Sequence, residues 1–147
     1  MNGKSSMRLD LYQAETAQVA REQSSLLDEV RQELQAGGRL SRLEENGVLH
    51  ALQMLIENAI GKAKQILKAK GEPVPVSAYD ALAALARIGV INTEDLPAWN
   101  AATGLRNRIV HEYMNIDVSR VLELVYADQH RFVTDFLMAP IDDIGNE

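Results

Sequence analysis

Two long helical segments, divided by a pair of glycines and closed by a proline-rich break, constrain the fold most. Between residues 10 and 36, apolar residues recur at the three- and four-residue spacing of an amphipathic helix. Gly37-Gly38 ends that segment, and Ser41 with Glu44 forms the capping-box pattern that begins a second helix. The second helix is expected to run up to Gly71–Pro75, where prolines remove donors and disfavour helical geometry. Two long antiparallel helices predict an all-α bundle.

Three shorter helices are predicted after that break. Ser77 is expected to begin the third helix, and Thr93 to cap a fourth helix that runs to about Tyr113 or Met114. Pro97 falls in the first turn of the fourth helix, where a missing donor costs little. Asp117 is expected to open the fifth helix, which continues to about Phe136. The prediction is therefore an antiparallel bundle of about five helices.

Composition agrees with one helical domain. The chain has 147 residues, 46% hydrophobic and only 5% aromatic, so its core must consist mainly of aliphatic side chains. We expect a single domain over residues 1–147, with flexible tails at residues 1–7 and 139–147. The absence of cysteine excludes disulfides and cysteine-based zinc sites. Without a visible secretory signal or membrane-spanning run, no membrane association and a cytoplasmic location are expected.

Charge limits the kind of nucleic-acid site that this chain can carry. The net charge is −6, whereas proteins that bind nucleic acid unspecifically are usually basic. An RNA site must therefore be a local basic concentration on an acidic body. A run of lysines in the second helix has spacings that distribute it around the helix, so we predict a solvated exterior for it. Its members are Lys62, Lys64, Lys68 and Lys70.

The fourth helix carries the most informative segment. At about 100° per residue, one stripe of this helix is predicted to face the core. Its members are Ala98, Ala102, Leu105 and Ile109. Asn107 and His111 lie almost opposite that stripe, whereas Arg106 shares a flank with Trp99 and Tyr113.

A second, partly apolar strip lies between these polar groups. It consists of Thr103, Val110 and Met114, and we expect another helix or a second subunit to cover it. Trp99 and Tyr79 are candidates for stacking on a base, but packing is the favoured interpretation for both.

Arg106 and His111 have the chemistry that RNA cleavage through the ribose 2′-OH requires. Histidine transfers protons near neutral pH, and the planar arginine fork binds phosphate oxygens. Asn107 is a candidate to orient the imidazole, and Arg108 to add local positive charge. Glu57 and Glu112 are weaker candidates for an acid.

The spacing of Arg106 and His111 does not by itself bring them together. They are five positions apart, which is about 140° around a regular helix. A distorted helix end near Asn115 or two-fold symmetry in a homodimer would gather them, and we favour the homodimer. No metal or cofactor is expected, because His50, His111 and His130 are scattered and no ligand cluster has suitable spacing.

The pattern Arg106-Asn107-x-x-Val110-His111-x-Tyr113 resembles the R-x4-6-H motif of HEPN ribonucleases, particularly the R-x4-H-x-Tyr form of HepT toxins. Residues 41–63 are similar to the second helix of that family, and the resemblance covers roughly residues 8–137. The sequence departs from many relatives at Gly61–Lys64, where they have an Asp and a His, so no functional residue is carried over there.

The resemblance implies a homodimeric, HEPN-like RNase toxin with Arg106 and His111 in a cleft shared by two subunits. It implies RNA as the substrate, with tRNA or mRNA as candidates. It also implies an MNT-type nucleotidyltransferase antitoxin that transfers AMP to Tyr113. Two alternatives remain open: a non-catalytic HEPN module that binds a nucleotide or a nucleotidyltransferase partner, and a helical adaptor that only scaffolds such an enzyme.

Overall fold

The computed structural model describes residues 3–141, and this part of the chain contains six α-helices. The helices are α1 (Gly3–Gln35), α2 (Arg42–Ala69), α3 (Ala78–Arg87), α4 (Leu96–His111), α5 (Val118–Tyr126) and α6 (Arg131–Met138). None of the helices in this range is both long enough and apolar enough to span a membrane. The all-α architecture is confirmed.

The α1–α2 hairpin has the predicted boundaries at its turn. Gly37 has a φ of 83°, which a glycine adopts without strain at a helix end. The Glu44 N–H donates to the Ser41 hydroxyl at 3.1 Å, and the Ser41 N–H donates to the Glu44 carboxylate at 2.7 Å. This reciprocal pair is the predicted capping box, and it satisfies two donors that the start of α2 leaves free.

Helix α1 begins earlier than predicted. It starts at Gly3 rather than near residue 10, because no glycine or proline stands between residues 4 and 9 to stop it. The described part of the expected N-terminal tail is therefore helical. Residues 1–2 and 142–147 lie outside the described residues, so the expectation of flexible tails stays a prediction.

Helix α2 is the centre of the bundle. It packs against α1, α3, α4 and α6, which leaves it few solvent-facing positions. Of its twelve buried residues, eleven are aliphatic and the other is Lys62. Because α2 occupies the centre, α4 packs against it and buries only one of its own sides.

The start of α4 differs from its prediction. Thr93 does not cap this helix: it begins a 3-10 turn over Thr93–Asp95, and α4 starts at Leu96. Pro97 lies in the first turn of α4 as predicted. The helix ends at His111 rather than at Tyr113 or Met114, and a second 3-10 turn covers Tyr113–Asn115.

The single fifth helix predicted after Asp117 is wrong in one respect, because α5 and α6 are separate helices. Asp117 does cap α5, accepting a hydrogen bond from the Arg120 N–H at 3.4 Å. The break between α5 and α6 is at Asp128, whose φ is 57°. Aspartate adopts this left-handed conformation more easily than most residues, so the chain turns without the glycine or proline that signals a break.

Candidate functional site

Helix α4 is rotated relative to its predicted orientation. Leu105 and Ile109 are buried as predicted, but Trp99 and Thr103 replace the two alanines on the buried side. The Trp99 ring makes edge-on contacts with Phe132 and Phe136, at centroid distances of 4.9 and 5.1 Å. Burial of a large aromatic ring yields more free energy than burial of alanine, so Trp99 sets the rotation. Its favoured interpretation as a packing residue is confirmed.

This rotation also changes the predicted apolar strip on α4. Thr103 is 1% exposed, and its hydroxyl donates to the Trp99 carbonyl at 3.0 Å, so it does not belong to a surface strip. Val110 and Met114 are 44% and 82% exposed. The uncovered part of this predicted strip therefore lies at the C-terminal end of α4 and in the 3-10 turn that follows, on either side of His111 in the sequence.

Arg106 lies against α2 rather than in open solvent. Its Nη1 is 3.7 Å from Oε2 of Glu57, and the two side chains are 25% and 34% exposed. The Nε of Arg106 is buried without a hydrogen-bond partner among the described residues. The guanidinium of Arg106 is therefore partly enclosed, with the Glu57 carboxylate beside it.

His111 is exposed and is the last residue of α4. The α-helix is continuous from Arg106 to His111, and the Glu112 N–H donates to the Arg108 carbonyl at 2.8 Å just beyond. The change to a 3-10 turn begins only at Tyr113, so helix distortion does not bring the two residues together. Within one chain, Arg106 contacts α2 while His111 stands on the surface.

The other predicted site residues lie around this helix end. Asn107 is half-buried and Arg108 is exposed. Arg108 Nη1 and the Tyr79 hydroxyl lie over the same turn of α4, beside Gly104. Each is 3.6 Å from the position that a Cβ atom would occupy at this glycine. Tyr113 is 45% exposed in the 3-10 turn.

An apolar groove of about 940 Å³ lies between α4 and the segment formed by α5 and the start of α6. Its wall is formed mainly by aliphatic and aromatic side chains, among them Leu52, Ile56, Leu105, Val121, Leu124 and Phe132. Charged residues of both signs also line it, namely Arg108, Glu112, Asp117 and Arg120. An apolar depression with mixed charges is typical of a surface that another protein covers.

The lysine run of α2 is not uniformly solvated, which corrects the prediction for Lys62. Lys62 is 1% exposed, whereas Lys68 and Lys70 are exposed. Burial lowers the pKa of Lys62 from 10.5 to about 8. A lysine at this position faces the inside of the bundle because α6 packs on that side of α2.

Histidines and carboxylates do not gather into a metal site within residues 3–141, where no group of three or more potential ligands occurs. His130 is buried beside Asp128, with 3.7 Å between Nε2 and Oδ1. Burial lowers the pKa of His130, which Asp128 partly opposes.

The helical bundle and the Arg-His-Tyr pattern at the end of α4 define a protein of the HEPN class. More specifically, the chain belongs to the HepT-like ribonuclease family, whose model matches residues 20–136. No curated protein matches the chain at the sequence level.

Two solved structures have the same fold. A toxin–antitoxin solved with AMP-PNP has a TM-score of 0.71 and 18% identity, covering 93% of this chain and 99% of its own. A tri-AMPylated HEPN toxin of Shewanella oneidensis, in complex with an MNT antitoxin, has a TM-score of 0.70 and 19% identity. That match covers 93% of this chain and 98% of the Shewanella chain.

Proposed function

We propose that the chain is a metal-independent endoribonuclease and the toxin of a HEPN/MNT toxin–antitoxin system. The observation that carries this proposal is the exposed position of His111 at the end of α4, with Arg106 five positions earlier on the same helix, in a chain of the HepT-like ribonuclease family. The proposed substrate is RNA, with tRNA or mRNA as candidates, and the proposed location is the cytoplasm.

The two residues divide the reaction between them. His111 takes the proton from the ribose 2′-OH or returns one to the leaving group, and Arg106 binds the non-bridging phosphate oxygens. The 2′ oxygen forms a bond to phosphorus while the bond to the 5′ oxygen breaks, and the 5′ oxygen receives a proton. The products are a 2′,3′-cyclic phosphate and a 5′-hydroxyl end. Asn107 and Arg108 support the site by orienting the imidazole and adding positive charge.

A homodimer supplies the convergence that one chain lacks. In a two-fold interface the same patch meets its own copy, so Arg106 of one subunit approaches His111 of the other. Val110 and Met114 provide apolar contact beside His111, and the mixed charges of the groove allow opposite signs to meet. The cleft between the subunits is then the site where RNA binds.

The exposed position of Tyr113 supports regulation by a nucleotidyltransferase. Its side chain is 45% exposed two residues after His111, so AMP on its hydroxyl adds bulk and a negative phosphate beside the cleft. The Shewanella neighbour is itself a tri-AMPylated toxin with an MNT antitoxin. An MNT-type antitoxin is accordingly the proposed partner of this chain.

The alternative is a non-catalytic HEPN module that binds a nucleotide or a nucleotidyltransferase. The contact between Arg106 and Glu57 favours it in one respect, because it gives Arg106 a partner inside the chain. In that case His111 has no role in chemistry, and its removal changes no reaction.

One experiment separates the two functions. Purified protein is incubated with total RNA in EDTA, using wild type, His111→Ala and His50→Ala. His50 is an exposed histidine on α2, so it is the matched control. Cleavage by wild type and His50→Ala, with 2′,3′-cyclic phosphate ends and a rate about 10²–10⁴-fold lower in His111→Ala, supports the ribonuclease. Equal rates for all three, or activity that needs Mg²⁺, contradict it.

A further inference from the structure

We propose that Glu57 is a positioning residue for Arg106. Glu57 lies on α2, the central helix, and its carboxylate faces the Arg106 side chain of α4. The guanidinium Nη1 is 3.7 Å from Glu57 Oε2, so the contact is an ion pair rather than a short hydrogen bond. The role proposed for Glu57 rests on the proposed ribonuclease function.

The carboxylate of Glu57 is itself held in place. Gln53, one turn earlier on α2, donates from Nε2 to Glu57 Oε2 at 3.1 Å. This is the same oxygen that faces Arg106 Nη1. Gln53 therefore holds Glu57 by a hydrogen bond, and Glu57 in turn holds Arg106 by an ion pair. Gln53 and Glu57 both belong to α2, a single rigid helix.

Because Arg106 is partly enclosed, the contact with Glu57 strongly affects the orientation of its guanidinium. Its Nε is buried without a hydrogen-bond partner in residues 3–141, and its side chain is only 25% exposed. Among the described residues, Glu57 is the only one that forms an ion pair with it. The direction of the guanidinium therefore depends on one carboxylate more than on a network.

Positioning of this kind affects the reaction rather than RNA binding. An arginine that is already oriented loses less conformational freedom when it contacts the transition state. Removal of the Glu57 charge also removes a repulsion toward RNA phosphates, so RNA binding is not weakened. The expected signature is a lower kcat per folded enzyme with an unchanged or lower KM. Because partial unfolding also lowers the apparent kcat at constant KM, kcat is referred to the folded fraction, measured by circular dichroism.

The test compares Glu57→Gln, which keeps the side-chain shape, with Glu57→Asp, which keeps the charge. Glu72→Gln is the matched control, because Glu72 forms an exposed ion pair with Arg87, which lies on α3. We expect kcat about 10- to 100-fold lower in Glu57→Gln, an intermediate value in Glu57→Asp, and wild-type kcat in Glu72→Gln. Wild-type kcat in Glu57→Gln overturns the positioning role, and so does a higher kcat, which identifies Glu57 as a restraint.

A second measurement does not depend on activity. Nitrogen relaxation of the Arg106 Nε–H group by NMR reports how freely the guanidinium moves in wild type and Glu57→Gln. We expect greater mobility in the variant, with no change at Arg106 in Glu72→Gln. If wild type cleaves no RNA, the proposed function fails, and equal mobility in Glu57→Gln then separately overturns the role of Glu57.

Discussion

The ammonium of Lys62 on α2 donates a 2.6 Å hydrogen bond to the main-chain carbonyl of Phe136, near the end of α6. It also contacts the carbonyls of Leu137 at 3.5 Å and Ala139 at 2.5 Å. The last carbonyls of a helix have no partner within the helix, and the negative end of its dipole favours a cation. Lys62 therefore closes the end of α6 from inside the bundle.

We expect Lys62→Met to lower the free energy of unfolding by about 1–3 kcal/mol, because the α6 carbonyls lose their donor. Lys68→Met is the control, since Lys68 is exposed on the same helix. Urea unfolding of the two variants and wild type measures the difference. Equal midpoints for Lys62→Met and wild type would contradict the role assigned to Lys62.

His130 is expected to make stability sensitive to acid. Burial lowers its pKa below 6.5, with Asp128 and Asp28 opposing this shift and Arg131 and Arg31 adding to it. As pH falls below 6.5, the unfolded chain binds a proton at this histidine before the folded chain does. The contribution of His130 to the free energy of unfolding is therefore fully present above pH 6.5. It is lost as pH falls toward the lower pKa that this histidine has in the folded protein.

The measurement is urea unfolding of wild type and His130→Gln between pH 7.5 and pH 5. The stability difference between them is expected to shrink as pH falls, since the variant cannot titrate at this position. His50→Gln is the control, and its difference from wild type is measured over the same range. A gap between wild type and His130→Gln that stays constant with pH would rule out this linkage.

Elements with local signals could be predicted from the sequence. The caps Ser41, Ser77 and Asp117 use side chains that bond to backbone groups three residues away, so a short window of sequence contains the information. The chemical pattern of Arg106, His111 and Tyr113 is local in the same sense, because all three lie within or next to one helix.

Features set by tertiary packing could not be predicted. The rotation of α4 depends on Trp99 meeting Phe132 and Phe136 about 35 residues later, which helical periodicity does not record. The sequence predicts Lys62 to be a surface residue, because nothing near it in the sequence indicates that α6 packs against this side of α2. The contact of Arg106 with Glu57 joins two helices, and an acid at position 57 does not by itself indicate its partner in the sequence.

Mixing of two inactive variants tests whether the site is shared between subunits. Arg106→Ala and His111→Ala are each expected to be inactive as homodimers. A mixed dimer contains one site with both residues intact if Arg106 and His111 come from different chains. Co-refolding equal amounts is expected to restore about a quarter of wild-type cleavage, because about half the dimers are mixed and half their sites are intact. No recovery, with subunit exchange verified, would show that each site is formed within one chain.

Val110→Asp is expected to give monomers and to abolish cleavage. Val110 is 44% exposed beside His111, and an unpaired carboxylate in the proposed interface is costly to desolvate. Val76→Asp is the matched control, because Val76 is 94% exposed between α2 and α3. Light scattering gives the oligomeric state, and the RNA assay gives activity at the same concentration. A dimeric, active Val110→Asp protein would place the interface elsewhere.

Tyr113→Phe is expected to keep ribonuclease activity but to escape its antitoxin. The substitution removes only the hydroxyl that would accept AMP, and the ring stays in the 3-10 turn after α4. Without that acceptor, an MNT-type nucleotidyltransferase with ATP and Mg²⁺ cannot add the phosphate that competes with RNA. Tyr126→Phe is the matched control, because Tyr126 is 49% exposed on α5. Intact mass spectrometry after co-expression should show added AMP on wild type and Tyr126→Phe alone. AMP on a peptide without Tyr113 would refute this regulation and leave the ribonuclease proposal unchanged.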